Sequence, residues 1–201
     1  MAIKAVVFDV GGVLELVDDM SWLRRWQAPE VSDEQFDASL RLMEEPDLVA
    51  TGALTEAEYL RRYADALDLA PGRLDDFATA MWDWYCGRPD EAMIAYARSL
   101  RPAYVTAILS NSADGARREE QRRYGFEQLV DTVIYSHEVG LAKPDPRIYA
   151  LLCRILALDP GDIVFVDDVP ANVTSARDIG IRAVLHEDTA RSIAAIEALL
   201  G

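Results

Sequence analysis

The sequence predicts a doubly wound α/β domain, a parallel sheet with helices on both faces, carrying a small all-helical insertion. Three observations lead there: five short apolar runs, segments of helical period between the later ones, and one long early stretch without any strand pattern. Runs that are apolar at nearly every position suit strands buried on both faces, which a sheet covered on both sides provides.

The first run, Ala5 to Phe8, is continuously apolar and rich in β-branched residues, and Gly11-Gly12 then forces a turn. From about residue 15 to residue 88 the pattern changes. Ser32 with Gln35 and Thr55 with Glu58 have capping-box spacing and predict the starts of amphipathic helices. This stretch holds 17 acidic and 7 basic residues, so ten of the fifteen net negative charges lie in it. It also holds all four tryptophans: Trp22, Trp26, Trp82 and Trp84. A small bundle needs large apolar side chains, so the tryptophans are expected in its core; Trp22 and Trp26, nearest the first motif, are the candidates to face a pocket. The expected division is residues 1–14 and 89–201 for the α/β core and 15–88 for the helical insertion.

Strand runs resume at Ala103 to Leu109, Thr132 to Tyr135, Ile163 to Val166 and Arg182 to Leu185. Pro146 suits the first turn of a helix running to about Leu156, Pro170 opens the next, and Gly180 suits its C-terminal cap. The RREEQRR run from Arg117 to Arg123 mixes signs at helical spacing, which predicts a solvated, ion-paired face.

At 201 residues the chain has room for one domain and a modest insertion, and 51% hydrophobic with 27% charged residues predicts a packed core. A net charge of -15 repels phosphate backbones and anionic membrane faces, which argues against nucleic acid and membrane partners. Two cysteines, Cys86 and Cys153, are too few for a disulfide framework and imply reduced thiols in the cytoplasm. No apolar run is long enough to span a bilayer. Asp9 interrupts the apolar start and no small-residue cleavage site follows, so no signal peptide is expected.

In an open parallel sheet, ligands bind beyond the carboxyl ends of the strands. The residues expected there are Asp9, then Ser110 and Asn111, then Lys143 in GLAKPDP, then the pair Asp167-Asp168. Each alone reads as a turn or helix-cap residue; their joint occurrence in this order, each at a strand end, points to a site. Lys143 stands out because Arg supplies every other basic position except Lys4.

The segments FDVGGVL, LSNS, GLAKPDPRIY and FVDDVPANV, in this order and with an insertion after the first, resemble the haloacid dehalogenase-like hydrolase superfamily. The nearest likeness is to its branch of small sugar-phosphate phosphatases and epoxide-hydrolase phosphatase domains. The resemblance implies a Rossmann-like core with a helical cap. It implies Asp9 as the nucleophile that takes a phosphoryl group, with Ser110, Asn111 and Lys143 holding the phosphoryl oxygens. It also implies Mg²⁺ held by Asp9, the carbonyl of Gly11 and Asp168, with Asp167 a ligand or water-mediated neighbour and Asn172 orienting this acidic loop.

One position departs from the pattern. Phosphatases of this superfamily usually carry a second aspartate two residues after the nucleophile as general acid and base, and here the residue is Gly11. Three readings follow: a Mg²⁺-dependent phosphatase acting on a small phosphate ester such as a sugar phosphate, a metal-independent 2-haloacid dehalogenase, and a catalytically degenerate protein that binds a phosphorylated ligand or protein. Three aspartates against one lysine leave two excess negative charges, which a divalent cation cancels, so the first reading is favoured. Glu15, Asp18 or Asp19 is a candidate replacement for the missing acid. His137 and His186 are expected in ordinary loop or surface roles, and Glu138 as an ion-pair partner.

Overall fold

Five parallel strands set the frame of the computed structural model, which describes residues 2–18, 20–28, 31, 32, 34, 37 and 46–201. In chain order the strands are β1 (Ala5–Phe8), the short β2 (Glu15–Leu16) and β3 (Arg88–Pro89), then β4 (Val105–Ser110), β5 (Thr132–Tyr135), β6 (Ile163–Asp167) and β7 (Arg182–Leu185). The main sheet runs β5-β4-β1-β6-β7, parallel throughout, with β1 central. Ala5 sits beside Val105 and Ile163, and Phe8 beside Ile108 and Val166.

The strand period of two splits the apolar runs into two cores. Val6, Phe8, Ile108, Val164 and Val166 pack on one face with residues of Glu91–Ser99 and Thr189–Leu200. Ala5, Val7, Leu109 and Phe165 pack on the other with residues of Pro146–Leu156 and Pro170–Asp178. Each fully buried large apolar side chain contributes roughly 1.5–3 kcal/mol, so a sheet covered on both faces is well anchored. Both prolines occupy helix starts as expected, and Gly180 follows its helix at φ +98. The strand expected from Ala103 begins instead at Val105, because the Tyr104 N–H still bonds back to the Leu100 carbonyl, 3.0 Å away, in the turn after the preceding helix.

Among the described residues between β2 and β3 are a 3₁₀ helix (Met20–Trp26) and the helices α1 (Pro46–Ala50), α2 (Glu56–Ala66) and α3 (Leu74–Cys86). The capping box at Thr55 forms: the Glu58 carboxylate accepts from the Thr55 N–H at 2.9 Å, and Thr55 Oγ1 accepts from the Glu58 N–H at 3.4 Å. Gln35 of the other expected box and Asp19 lie outside the described residues. Trp22 and Trp82 are buried with Leu23, Tyr63, Phe77 and Met81; Trp26 and Trp84 pack against this cluster half-buried. A strandless stretch from residue 15 to residue 88 was expected, yet β2 and β3 pair antiparallel at its base, Glu15 with Pro89 and Leu16 with Arg88. Two-residue strands are too short to leave a periodic signal in sequence.

The charged run is a corrected expectation at one position. In α4 (Ala116–Tyr124), Arg117, Arg118 and Arg122 are ion-paired, Arg117 to Glu127 and Glu138, Arg118 to Glu56 and Glu119, and Arg122 to Glu119. Glu120, however, is fully buried. Ala116 and Glu120 lie four residues apart on one helix face, so that face turns inward and carries a carboxyl with it. Among the described residues no helix is long and apolar enough to cross a membrane.

Candidate active site

Because β4, β1 and β6 are adjacent and in register, the residues at and just past their carboxyl ends converge: Asp9 after β1, Ser110 ending β4 and Asp167 ending β6. Lys143 arrives from the loop before Pro146–Leu156 with its side chain fully buried. Its Nζ lies 2.7 Å from Asp9 Oδ1 and 2.7 Å from Asp167 Oδ2, and 5.4 Å from the centre of the Phe165 ring. The Asn111 side chain holds this loop by both amide ends: Nδ2 donates to the Lys143 carbonyl and Oδ1 accepts from the Lys143 N–H, each at 2.8 Å. Asn111 thereby fixes the backbone at Lys143.

Asp167 is saturated. Its Oδ1 accepts from the Val169 N–H at 2.9 Å and from Asn172 Nδ2 at 3.0 Å, while Oδ2 takes Lys143. Asp9 Oδ1 also accepts from the Val10 N–H at 2.7 Å. Burial pushes the Asp9 carboxyl well above the usual carboxylate range; Lys143 pulls it down, and Asp167 pushes it further up. Asp168 is raised by partial burial and by Asp167. One carboxylate oxygen from each of Asp9, Asp167 and Asp168 lies within 4.8 Å of the others. Three carboxylates facing one ammonium form a hard-oxygen donor set with excess negative charge, which fits a divalent cation.

The two glycines differ. Gly12 has φ +76, and a Cβ there would lie 2.2 Å from Asp168 Oδ2, so only glycine lets that carboxylate rest against the turn. Gly11 lies outside the left-handed region, and a Cβ there would meet nothing within 4 Å. The space that a side chain would occupy is open.

Around this centre the remaining candidates separate. His186 is buried, with Nδ1 2.9 Å from Ser192 Oγ. Glu138 pairs with Arg117 at 2.6 Å. His137 Nδ1 lies 2.7 Å from Ser112 Oγ, and burial lowers its pKa. Two cavities meet the site. An apolar one of about 170 Å³ is lined by Leu54, Tyr59, Tyr63, Met81, Tyr85 and Asn111. A second, of about 160 Å³, is bordered by Gly11, Glu15, Ser110, Asn111 and Glu120, with Trp84 and Tyr85 on the insertion side. Trp22 and Trp26 line neither; they border a separate cleft with Arg25 and Arg73. Tyr85 and Glu120 were missed by sequence reasoning, and only the helical spacing from Ala116 could have flagged Glu120.

Comparison with known proteins agrees with this fold. A family model described as haloacid dehalogenase-like hydrolase matches residues 3–180. Bifunctional epoxide hydrolase 2 of Mus musculus is 27% identical over the whole chain, which spans only 39% of that protein's length. Phosphatase MT3486 of Mycobacterium tuberculosis is 28% identical over 92% of this chain and 88% of its own. A HAD family enzyme of Bacteroides thetaiotaomicron, solved with magnesium and inorganic phosphate, shares the fold at TM-score 0.78 and 21% identity, over 94% of this chain and 98% of its own. An L-2-haloacid dehalogenase of Xanthobacter autotrophicus does so at TM-score 0.66 and 23% identity, over 99% of this chain and 83% of its own.

Proposed function

Since the chain belongs to the haloacid dehalogenase-like hydrolase family, we propose that it is a magnesium-dependent phosphatase that cleaves a small phosphate monoester through an aspartyl-phosphate on Asp9. The observation that carries this reading is the trio Asp9, Asp167 and Asp168, one oxygen of each lying within 4.8 Å of the others, with Lys143 ion-paired to Asp9 and Asp167. A halide displacement needs no metal ion; a dianionic phosphate needs the positive charge that such a trio collects.

Asp9 and Asp168 are the residues that would hold the ion, with the Gly11 carbonyl, while Asp167 anchors Lys143 beside them. When bound, Mg²⁺ supplies charge neutralisation for the phosphoryl oxygens. The Asp9 carboxylate attacks phosphorus as the ester P–O bond breaks, and the leaving oxygen takes a proton from water, since Gly11 offers none. Water then attacks the phosphorus of the aspartyl-phosphate, inorganic phosphate leaves and the Asp9 carboxylate is restored. Lys143 and Ser110 bind phosphoryl oxygens; Asn111 keeps Lys143 in reach. The helices between β2 and β3 act as a cap over the centre, and the free cysteines favour a cytosolic setting.

One observation favours the rival reading: Gly11 leaves the proton-transfer position empty, as in a dehalogenase. The two separate in one experiment. Phosphate release from an aryl phosphate should require Mg²⁺ and vanish in Asp9→Asn, which keeps the volume but is a poor nucleophile, while 2-chloropropionate should release no chloride. Metal-independent chloride release with no phosphate release would reverse the assignment.

A further inference from the structure

Two cavities lie side by side between the reaction centre and the insertion, and the exposed walls of both are apolar. The nearer one, about 160 Å³, borders Gly11 and Ser110. Glu15 and Glu120 also border it, but at 1% and 0% exposed they present no carboxylate to a guest. It shares Tyr85 and Asn111 with the deeper one, about 170 Å³, whose far walls are Val49 of α1, Leu54, Tyr59 of α2 and Met81 of α3. The polar groups around the deeper cavity are mostly engaged. Asn111 spends both amide ends on Lys143, Ser112 Oγ lies 2.7 Å from His137 Nδ1, and the Tyr59 hydroxyl donates to the Asp114 carbonyl at 2.9 Å. The Tyr63 hydroxyl lacks a partner among the described residues but is itself buried.

We propose that these cavities bind the leaving group of the substrate and that this group is a small apolar phenol: the substrate class is the aryl phosphate monoester, not the sugar phosphate. The proposal rests on the phosphatase reading. Three independent features select such a group. The walls reward apolar surface, with Met81 and the rings of Tyr59 and Tyr85 facing a flat guest, whereas a sugar would bury hydroxyls against side chains whose hydrogen bonds are already made. Size is the second: each cavity is close to one that takes benzene, so the pair holds one ring with a short substituent and not a long chain. The third is Gly11, which leaves the departing oxygen without a positioned acid. As the P–O bond breaks, its electron pair stays on that oxygen. A phenolate spreads the charge into its ring and departs before water protonates it, where an alkoxide cannot.

The test compares four esters on the Mg²⁺-loaded enzyme: 4-propylphenyl phosphate, its 2,3-dihydroxypropyl analogue, 4-carboxyphenyl phosphate and 4-propylcyclohexyl phosphate. The first two have phenols that leave equally well and differ only in two hydroxyls. We expect kcat/KM for the propylphenyl ester to exceed that for the dihydroxypropyl ester by about tenfold or more, the cost of burying hydroxyls without partners. The propylcyclohexyl ester should bind Asp9→Asn nearly as tightly as the propylphenyl ester, yet turn over on the natural chain about 10²-fold more slowly or worse. Leu54→Asn and Met81→Gln, once melts show them folded, should each pull the first ratio toward one. Calorimetric binding of the first two esters to Asp9→Asn should show the same preference without turnover, and carries the test should both lining variants fail to fold. Equal rates and equal binding for those two esters would overturn the proposal. So would a preference for the carboxyphenyl ester, which would assign the deeper cavity to an anion through Arg62, the one charged side chain among its described lining residues. Equally fast turnover of the cyclohexyl ester would remove the phenol from the class. In each of these cases phosphate release leaves the phosphatase reading standing; hydrolysis of none of the four would sink that reading and the proposal with it.

Discussion

At the residue scale the two adjacent glycines make opposite demands. Gly12 is held at φ +76 with Asp168 against its Cα, so Gly12→Ala should cost about 1 kcal/mol or more and displace Asp168. A Mg²⁺ titration of activity should show this as a higher metal requirement. Gly11 is unconstrained, so Gly11→Asp should fold, and a melt indistinguishable from the natural chain checks that first. A positioned general acid contributes about 10²–10⁴-fold. The natural chain should therefore hydrolyse esters more slowly as leaving-group pKa rises, with simple alkyl phosphates worst, and Gly11→Asp should flatten that slope. Equal, fast rates on alkyl and aryl phosphates in the natural chain would mean that another residue already supplies the proton.

At the element scale, α3 and α4 join the insertion to the core and carry both its stability and its pH response. Phe77 of α3 is fully buried, with Trp22, Trp26 and Tyr63 rings centred 5.4–5.7 Å away. Phe77→Ala should cost about 3–5 kcal/mol, visible as a lower Tm. Glu120 of α4 behaves differently. Burial pushes its carboxyl up from 4.5 to about 7, against the opposing pull of Tyr135 and Arg117. A folded-state value above the unfolded one means that the folded chain binds more protons between those two values. This contribution to stability is complete below the unfolded value and is lost as pH rises through about 7. Glu15 of β2, pushed up from 4.5 to about 10 by burial and then by Glu120, loses stability in the same direction; Tm should fall from pH 5 to pH 8, Glu120→Gln should make the fall shallower, and an unchanged pH profile in that variant would place the response elsewhere.

At the scale of the whole molecule, charge sets the response to metal. The chain carries -15 net, and its buried centre adds a local excess of carboxylate. An ion that binds only the folded state stabilises it by mass action, about 2.7 kcal/mol at a hundredfold excess over Kd. Millimolar Mg²⁺ should therefore raise Tm, and Asp168→Ala should abolish most of the rise while leaving the metal-free melt close to that of the natural chain. The same rise in both proteins would mean that the ion binds the acidic insertion instead.

The sequence by itself determined the sheet and the identities at its rim. Continuous apolar runs can be buried only between two helical layers, and Asp9, Ser110 and Asp167 sit at or next to the ends of such runs, so strand register alone brings them together. Lys143 was legible as the rare lysine of an arginine-rich chain, and Asn172 as part of the acidic loop. Tertiary structure decided what depends on contacts between distant segments: the two-residue strands that close the insertion, the use of both Asn111 amide ends on the Lys143 backbone, the replacement of Trp22 and Trp26 by Trp84 and Tyr85 at the cavity, and the burial of Glu120 within a run that reads as solvated. Local periodicity reports which face of an element is apolar; it cannot report which two faces meet, and the meeting of α4 with β2 is what sets Glu15 and Glu120 on one cavity.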